Sequence, residues 1–230
     1  MKTRISIAAT IGLSVLAASS ALAQNAASNK GFFAKSTAGI TFAPVSGAGY
    51  SAPITLISVP AALKTSSGGA VSATVSMESL LSTYNLTTAI VNGGKSSSSS
   101  RAAINVWVEV DGVAMEPGQV VFNDRVQATG LTLNLTCSVP GTTCTVNGNL
   151  TLELFQATKS AQAFTFFLGP LSPTIHKVEV KAQALIECRN NAVVIDCPAS
   201  TLDGYANAST QAGIGKATLM IEEQQNWGQQ

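Results

Sequence analysis

The chain has 230 residues, of which 46% are hydrophobic and 11% are charged, and its formal net charge is +1. So few charged side chains, in near balance, leave no basic patch or stripe of the kind that binds phosphates or anionic membranes. The composition therefore excludes nucleic acid as an expected partner. A chain of this length can bury a substantial core, which favours a single main domain.

The first residues are typical of a secretory signal peptide. Lys2 and Arg4 give a positive start, residues 5–18 form an apolar run, and the Ala-Leu-Ala of residues 21–23 is a small-residue cleavage site. We predict that residues 1–23 are removed and that the protein is secreted or periplasmic. No later run reaches the roughly 20 apolar residues of a membrane-spanning helix, so we expect no transmembrane segment.

Two polar segments are predicted to lack regular structure. Residues 24–52 are rich in Ala, Ser, Gly and Asn, which predicts a flexible N-terminal arm because little apolar surface is available to offset the entropy of ordering. The alternative is that this arm adds a strand to a neighbouring subunit and makes a homo-oligomer. The run NGGKSSSSS at residues 92–100 is of low complexity and predicts a flexible hairpin loop.

The clearest strand pattern lies in residues 103–123. Every second residue from Ile104 to Val110 is apolar, which predicts one buried face. The Asp-Gly pair at residues 111–112 tolerates the positive φ angles of a type I′ turn, whose twist suits a hairpin. We therefore predict a central hairpin here, with a bulge or an edge position at Pro117-Gly118.

The four cysteines form two closely spaced pairs. An even number of cysteines in an exported chain predicts disulfides, and nearest-neighbour pairing gives Cys137–Cys144 and Cys188–Cys197. A zinc site is the alternative use of four cysteines. Neither pair has the short C-x₂₋₄-C spacing of zinc ligands, so two local disulfides are favoured.

The segments around the first cysteine pair predict a hairpin. If the two cysteines lie opposite each other, antiparallel counting pairs Leu135 with Val146 and Leu131 with Leu150. The leucines of both arms then share one face, and the other face is polar. This agreement between two independent patterns supports the predicted register.

Eight to ten strands, with turn signals between them and almost no helical periodicity, predict an all-β fold. The remaining strand patterns lie at residues 54–59, 70–77, 81–91, 163–168, 175–188 and 213–223. We expect one antiparallel β-sandwich over residues 53–223, immunoglobulin-like or jelly-roll-like, followed by a polar tail at residues 224–230. A likeness of this kind concerns the fold and implies no activity.

The sequence carries no recognised catalytic or cofactor motif. His176 is the only histidine, and neither a serine elbow nor a cysteine nucleophile accompanies it, so a hydrogen-bonded structural role is favoured. The calcium-loop pattern, the P-loop and a strand-preceded GxGxxG are absent. We therefore expect no enzyme activity, no cofactor and no metal. A hydrolase with an unrecognised site is the third-ranked alternative.

Trp107 offers one ligand-binding hypothesis. It lies on the polar face of its strand between Asn105 and Glu109, and a flat ring flanked by polar groups is typical of a sugar-binding surface. The opposing interpretation is that the ring packs beneath the second sheet or under the serine-rich loop. The expected function is thus a structural, adhesive or surface-assembly role. The alternative is an extracellular carbohydrate-binding module with a glycan or cell-surface partner.

Overall fold

The computed structural model describes residues 31–37, 39–42, 49–65, 69–85, 87, 95–133, 135–138, 143–146, 150–197 and 208–224. All of them belong to the compact unit Gly31–Gln230. The predicted signal peptide, the first part of the predicted arm and residues 225–230 of the predicted tail lie outside this described part. Within it, no helix is long and apolar enough to cross a bilayer.

The regular elements of the described residues are all strands. In chain order they are β1 Gly31–Ser36, β2 Ile40–Thr41, β3 Gly49–Tyr50, β4 Ile54–Lys64, β5 Ala70–Asn85, β6 Lys95–Val110, β7 Val113–Ala114, β8 Val120–Thr132, β9 Leu135–Ser138, β10 Thr143–Val146, β11 Thr151–Ser160, β12 Ala163–Leu168, β13 Ile175–Asn190, β14 Val193–Ile195 and β15 Ala208–Gln224.

Thirteen of the fifteen strands form two antiparallel sheets that pack face to face, and β9 and β10 form a separate two-stranded sheet. The five-stranded sheet has the order β1-β15-β5-β12, with β2 also beside β15. The eight-stranded sheet has the order β11-β8-β6-β13-β14; β3 and β4 also pair with β13, and β7 pairs with β6. Strand β5 lies across from β6 and β8, and β15 lies across from β6 and β13. The predicted all-β antiparallel sandwich is therefore confirmed.

Alternation along the central strands explains the core. Strands β6 and β13 pair through 13 consecutive residues without a register shift. Every second side chain therefore points at the opposite sheet and loses its contact with water. The predicted inward residues are confirmed as buried in β6, β13 and β15: Ile104, Val106, Val108, Val110, His176, Val178, Val180, Ala182, Ala184, Ile186, Ala217, Leu219 and Ile221.

The predicted turn of the central hairpin is confirmed at Asp111 and Gly112. Their φ angles of 51° and 83° are the positive values that a type I′ turn requires. Strand β7 begins directly after the turn and pairs back onto β6. The return strand then breaks around Pro117 and Gly118, where Gly118 has a φ of 82°, and it resumes as β8.

The serine-rich run is not the predicted flexible loop where it is described. Residues 95–100 are the first part of β6 and pair with β8, and residues 98–100 also pair with β13. Ser96, Ser98 and Ser100 point inward and are buried. Pairing with two long neighbouring strands satisfies the backbone of this run whatever its side chains are, so composition alone was a poor guide. Residues 92–94 lie outside the described residues.

The buried serines contribute to a polar layer at one end of the sandwich interior. Ser98 Oγ lies 3.0 Å from both Thr87 Oγ1 and Thr129 Oγ1, and the two threonine hydroxyls are 2.6 Å apart. Ser100 Oγ, by contrast, is buried without a hydrogen-bond partner among the described residues. The interior therefore changes along β6 from valines at one end to hydrogen-bonded hydroxyls at the other.

The predicted N-terminal arm is folded where it is described. Strands β1 and β2 pair with β15, and β3 pairs with β13. Phe32 and Ala34 pack against the core, and Phe42 is buried in it. The prediction of a flexible arm is therefore wrong for residues 31–36, 40–41 and 49–50, because their apolar side chains and backbone have partners within the same chain.

Three strands are longer than their sequence patterns predicted. Strand β4 continues through Pro60 to Lys64, with register shifts against β13. Strand β5 is one element of 16 residues, where two separate patterns at residues 70–77 and 81–91 had been expected. Strand β15 begins at Ala208, five residues before the pattern indicated. Pairing with a long neighbour extends each strand beyond its own local signal.

The disulfide Cys188–Cys197 is confirmed. It closes the β13–β14 hairpin with a Cα–Cα distance of 5.3 Å. The turn residues of this hairpin, Asn191 and Ala192, have φ angles of 48° and 65°. Closing so short a loop contributes about 2 to 3 kcal/mol in the chain-entropy model.

The hairpin at the other cysteine pair follows the predicted register only near its tip. Cys137 lies opposite Cys144 on the backbones of β9 and β10, and Leu135 lies opposite Val146. The predicted disulfide itself lies outside the described residues, because the cysteine side chains do. Further along, Leu131 pairs with Leu152 and not with the predicted Leu150. The shift of two residues keeps the leucines on one face.

The polar layer gives a stability prediction. Ser98→Ala should lower the free energy of unfolding by about 1 kcal/mol, because two threonine hydroxyls lose a partner. Ser100→Ala should change it by less than about 0.5 kcal/mol or raise it, because a buried hydroxyl without a partner is removed. Urea unfolding of both variants measures the difference. A larger loss at Ser100 than at Ser98 would contradict this account of the layer.

Candidate functional site

The three residues of the predicted ligand site lie together on β6. Trp107 and Glu109 are half-buried on the outer face of the eight-stranded sheet, and Asn105 on the same face is buried. The ring of Trp107 does not pack beneath the second sheet, because the inward positions of this strand belong to its valines. The structure therefore places the ring on the outside of the sandwich.

The polar neighbours of Trp107 fix its orientation. Its Nε1–H donates to Glu109 Oε1 at 2.8 Å, and Lys181 Nζ donates to Glu109 Oε2 at 2.5 Å. Burial opposes the charged form of Glu109, but the hydrogen bonds from Lys181 and Trp107 outweigh it and lower the pKa of the carboxyl. Glu109 is thus charged, and each of its oxygens accepts a hydrogen bond. It therefore orients the ring, and contacts with a ligand would come from other side chains.

A shallow pocket of about 320 Å³ lies beside this ring. Its lining residues are Pro53, Trp107, Ala114, Gln119 and Gln183. The two side-chain amides each offer donors and an acceptor, and the indole offers a flat apolar surface. This combination can hold a small hydroxylated molecule. The sequence did not identify Gln119 or Gln183: Gln119 lies in the irregular segment before β8, and Gln183 reaches Trp107 from β13, a distant part of the chain.

His176 is buried and has a hydrogen-bond network of its own, which reaches the exposed Asp111. Its Nδ1 lies 2.7 Å from Asp111 Oδ2, and its Nε2 lies 3.0 Å from Ser172 O and 3.1 Å from Thr65 Oγ1. The backbone N–H of Lys177 donates to Asp111 Oδ1 at 2.8 Å. A carbonyl oxygen only accepts, so Nε2 donates to Ser172, and the imidazolium with both nitrogens protonated satisfies the contacts.

The electrostatics of this network favour the charged pair. Burial opposes the imidazolium, but hydrogen bonds to Asp111 and to the Ser172 carbonyl outweigh it and raise the pKa of His176. Hydrogen bonds from His176 and from the Lys177 amide lower the pKa of Asp111. The pair ties the turn of the central hairpin to the start of β13.

The order Asp111, His176, Thr65 resembles an acid, a base and a nucleophile, but the geometry does not suit nucleophilic catalysis. Thr65 is 2% exposed, and its hydroxyl donates to Ser172 O at 2.6 Å. A nucleophile must give its proton to the base and reach a substrate. Thr65 does neither. The network is therefore suited to holding the fold.

Strand β11 is exposed along its whole length. It is the outermost strand of the eight-stranded sheet, and all ten of its residues are exposed. Three of them are large apolar side chains with exposed fractions of 68% at Leu152, 61% at Leu154 and 57% at Phe155. Its pairing with β8 is uninterrupted, so no bulge bends this edge.

The sequence identified the leucine face of β11 but not its exposure. Alternation shows which side chains share a face, and only the position of the other sheet decides whether that face is covered. The leucines of β11 lie on the inward side, beyond the reach of the five-stranded sheet. An apolar strand that looked like a core strand is in fact a surface edge.

A second groove, of about 450 Å³, lies beside β11 on the outer face. Its lining includes Lys95, Gly130, Glu153, Phe155 and Arg189, together with the serines of residues 97–99. Lys95 Nζ donates to Glu153 Oε2 at 2.9 Å. Within the described residues, no group of three or more metal-ligating side chains is present in this groove or elsewhere.

The His176 network predicts how stability depends on pH. The raised pKa of His176 contributes stability that is fully present below about pH 6.5 and is lost as the pH rises through the folded value. The lowered pKa of Asp111 contributes stability that is present above about pH 4 and is lost in acid. The melting temperature of the parent should therefore fall relative to that of His176→Gln above about pH 6.5.

Thermal unfolding of both proteins from acid to alkaline pH tests this expectation. His176 is the only histidine, so no other side chain of its type contributes to the difference. A melting temperature of the parent that rises relative to that of His176→Gln above neutral pH would contradict a buried imidazolium.

The chain was compared with protein-family models, with curated proteins and with solved structures. None of the three comparisons finds a match.

Proposed function

We propose that this protein is an exported, non-enzymatic structural subunit that assembles by strand addition at β11. The observation that carries the proposal is the ten-residue β11 edge, which is exposed along its whole length, pairs with β8 without a bulge and carries three large apolar side chains. Export is supported by the signal-like leader and by the Cys188–Cys197 disulfide, because disulfides persist in oxidising compartments.

An open strand edge favours addition of another strand. Its outward backbone N–H and C=O groups have no strand partner among the described residues. Pairing them with an extended segment satisfies them in a regular ladder. Burying the neighbouring leucines and Phe155 would add the apolar contribution of about 25 cal/mol per Å² removed from water. Strand addition thus supplies both backbone pairing and apolar burial at one place.

Two of the three other sheet edges carry protection that β11 lacks, and the third, β1, has only six residues. Strand β12 is short, and Phe167 exchanges backbone hydrogen bonds with Glu116 on its outer side. The far edge of the eight-stranded sheet is divided among β4, β3 and β14, and β4 contains Pro60 and register shifts. Prolines, bulges and short edge strands are the means by which sheets avoid pairing with other chains.

A charge placed on the open edge tests this function. Leu152→Lys should abolish concentration-dependent association in sedimentation velocity, because the added strand would bury an unpaired ammonium group. Its free energy of unfolding should stay within about 0.5 kcal/mol of the parent, because Leu152 is exposed. Val193→Lys is the matched control, since Val193 is 65% exposed on β14 of the same sheet.

Val193→Lys should associate as the parent does. A parent protein that remains monomeric at every concentration would refute the assembly role, and so would a Leu152→Lys variant that associates as well as the parent.

A second candidate function is carbohydrate binding at the Trp107 pocket. The specific observation in its favour is the outward-facing ring beside Gln119 and Gln183. Aromatic rings that lie against sugar faces, with amides that bond the hydroxyls, are a common arrangement for such ligands. The pocket lies two strands away from β11, so strand addition would leave it open.

Affinity electrophoresis in gels containing soluble polysaccharides tests the second candidate. A parent protein that is retarded should lose this retardation in Trp107→Ala, while Phe33→Ala should keep it. Phe33 is the matched control because it is an exposed aromatic residue on the other sheet. Absence of retardation for the parent across neutral, acidic and basic polysaccharides would count against a glycan role.

A further inference from the structure

Strand β11 has a sequence that complements itself. The geometry points to β11 of a second copy as the added strand, paired antiparallel about Gln156, so that two copies form a closed dimer. This inference rests on the assembly role at the β11 edge and names the partner. A two-fold interface of this kind uses the same surface on both copies, and it closes without leaving an open end.

The charges of β11 set the register. Glu153 and Lys159 are its two charged residues, and they lie on the same face because they are six positions apart. Antiparallel pairing centred on Gln156 places Glu153 opposite Lys159 of the second copy, and the two-fold axis repeats the contact. Opposite charges facing each other across strands stabilise a sheet, so this register gains two such pairs.

Other registers lose this match. Pairing centred on Glu153 places two glutamates opposite each other, and pairing centred on Lys159 does the same with two lysines. Parallel in-register pairing also places like charges side by side, which is destabilising. Pairing centred on Phe155 leaves both charged residues opposite neutral ones. Of the antiparallel self-pairings, the one centred on Gln156 opposes both charge pairs directly.

Both charged groups are available for this pairing. Lys159 lies opposite Asp124 of β8, but Asp124 is held by two hydrogen bonds from Arg101 at 3.0 and 2.7 Å. Lys159 therefore makes no ion pair within the described part of the chain. Glu153 accepts from Lys95, but both side chains of that pair are more than half exposed, so it is readily exchanged.

The sizes of the side chains agree with the charges. In the register centred on Gln156, each large apolar residue of β11 lies opposite a small one, which leaves room for the larger side chain to pack. The opposed positions are Leu152 with Ser160, Leu154 with Thr158 and Phe155 with Ala157. A two-fold axis perpendicular to the sheet keeps the leucines of both copies on one side, where they can adjoin.

A cysteine at the two-fold axis tests the register directly. Gln156→Cys should form a covalent dimer under mild oxidation, because directly opposed residues in antiparallel strands lie within disulfide range. Thr158→Cys is the matched control, since it lies on the same face and would be roughly 13 Å from its counterpart. Non-reducing electrophoresis measures the cross-link, and the parent supplies the background.

Charge reversal tests the same register without a covalent bond. Glu153→Lys and Lys159→Glu should each weaken dimerisation about tenfold in sedimentation equilibrium, because two attractive contacts become repulsive. The double variant should recover most of the affinity, since the opposite charges again face each other. Lys95→Ala should leave the affinity unchanged, and it controls for the ion pair within one copy.

The outcomes separate this inference from the assembly role. An open-ended polymer, equal cross-linking at both cysteine positions or a double variant without recovery would overturn the self-paired dimer. The assembly role would survive those results if Leu152→Lys still abolished association. A parent protein that stays monomeric would overturn both. All the substituted residues of β11 are exposed, so each variant is expected to fold.

Discussion

The pairing of β6 with β13 is the constraint on which the rest of this structure depends. Its uninterrupted register sends the alternate residues of both strands into the space between the sheets. The same register places Lys181 beside Trp107 and Glu109 on the outer face. It also brings Asp111, at the end of β6, to His176 at the start of β13. One ladder thus positions the core, the candidate pocket and the ion pair of Asp111 with the buried His176.

The exposed edge follows from the unequal widths of the two sheets. The path from β11 to β14 contains five strands, whereas the path from β1 to β12 contains four. Strand β11 therefore extends beyond the opposite sheet while keeping the leucine pattern of a covered strand. An apolar strand without cover is stable only because β8 pairs with it on one side, and strand addition would complete the other side.

The two candidate surfaces occupy separate parts of the eight-stranded sheet. Trp107 lies on the outer face near the hairpin turn, and β11 lies at the edge. Joining two copies through β11 would extend the sheet without covering the pocket. A structural subunit that also displays a ligand-binding face is therefore compatible with the geometry, and in a closed dimer each such face would be present twice.

The sequence by itself determined the features that arise from local patterns. Period-two alternation defined the inward faces of β6, β13 and β15, the Asp-Gly pair defined the hairpin turn, and close spacing defined the Cys188–Cys197 disulfide. Only the tertiary structure decided that the serine run is a buried strand, that residues 31–36 pair with β15, and that the leucines of β11 are exposed. The physical reason is that burial and pairing depend on which strands lie opposite and alongside a segment, and those neighbours come from distant parts of the chain.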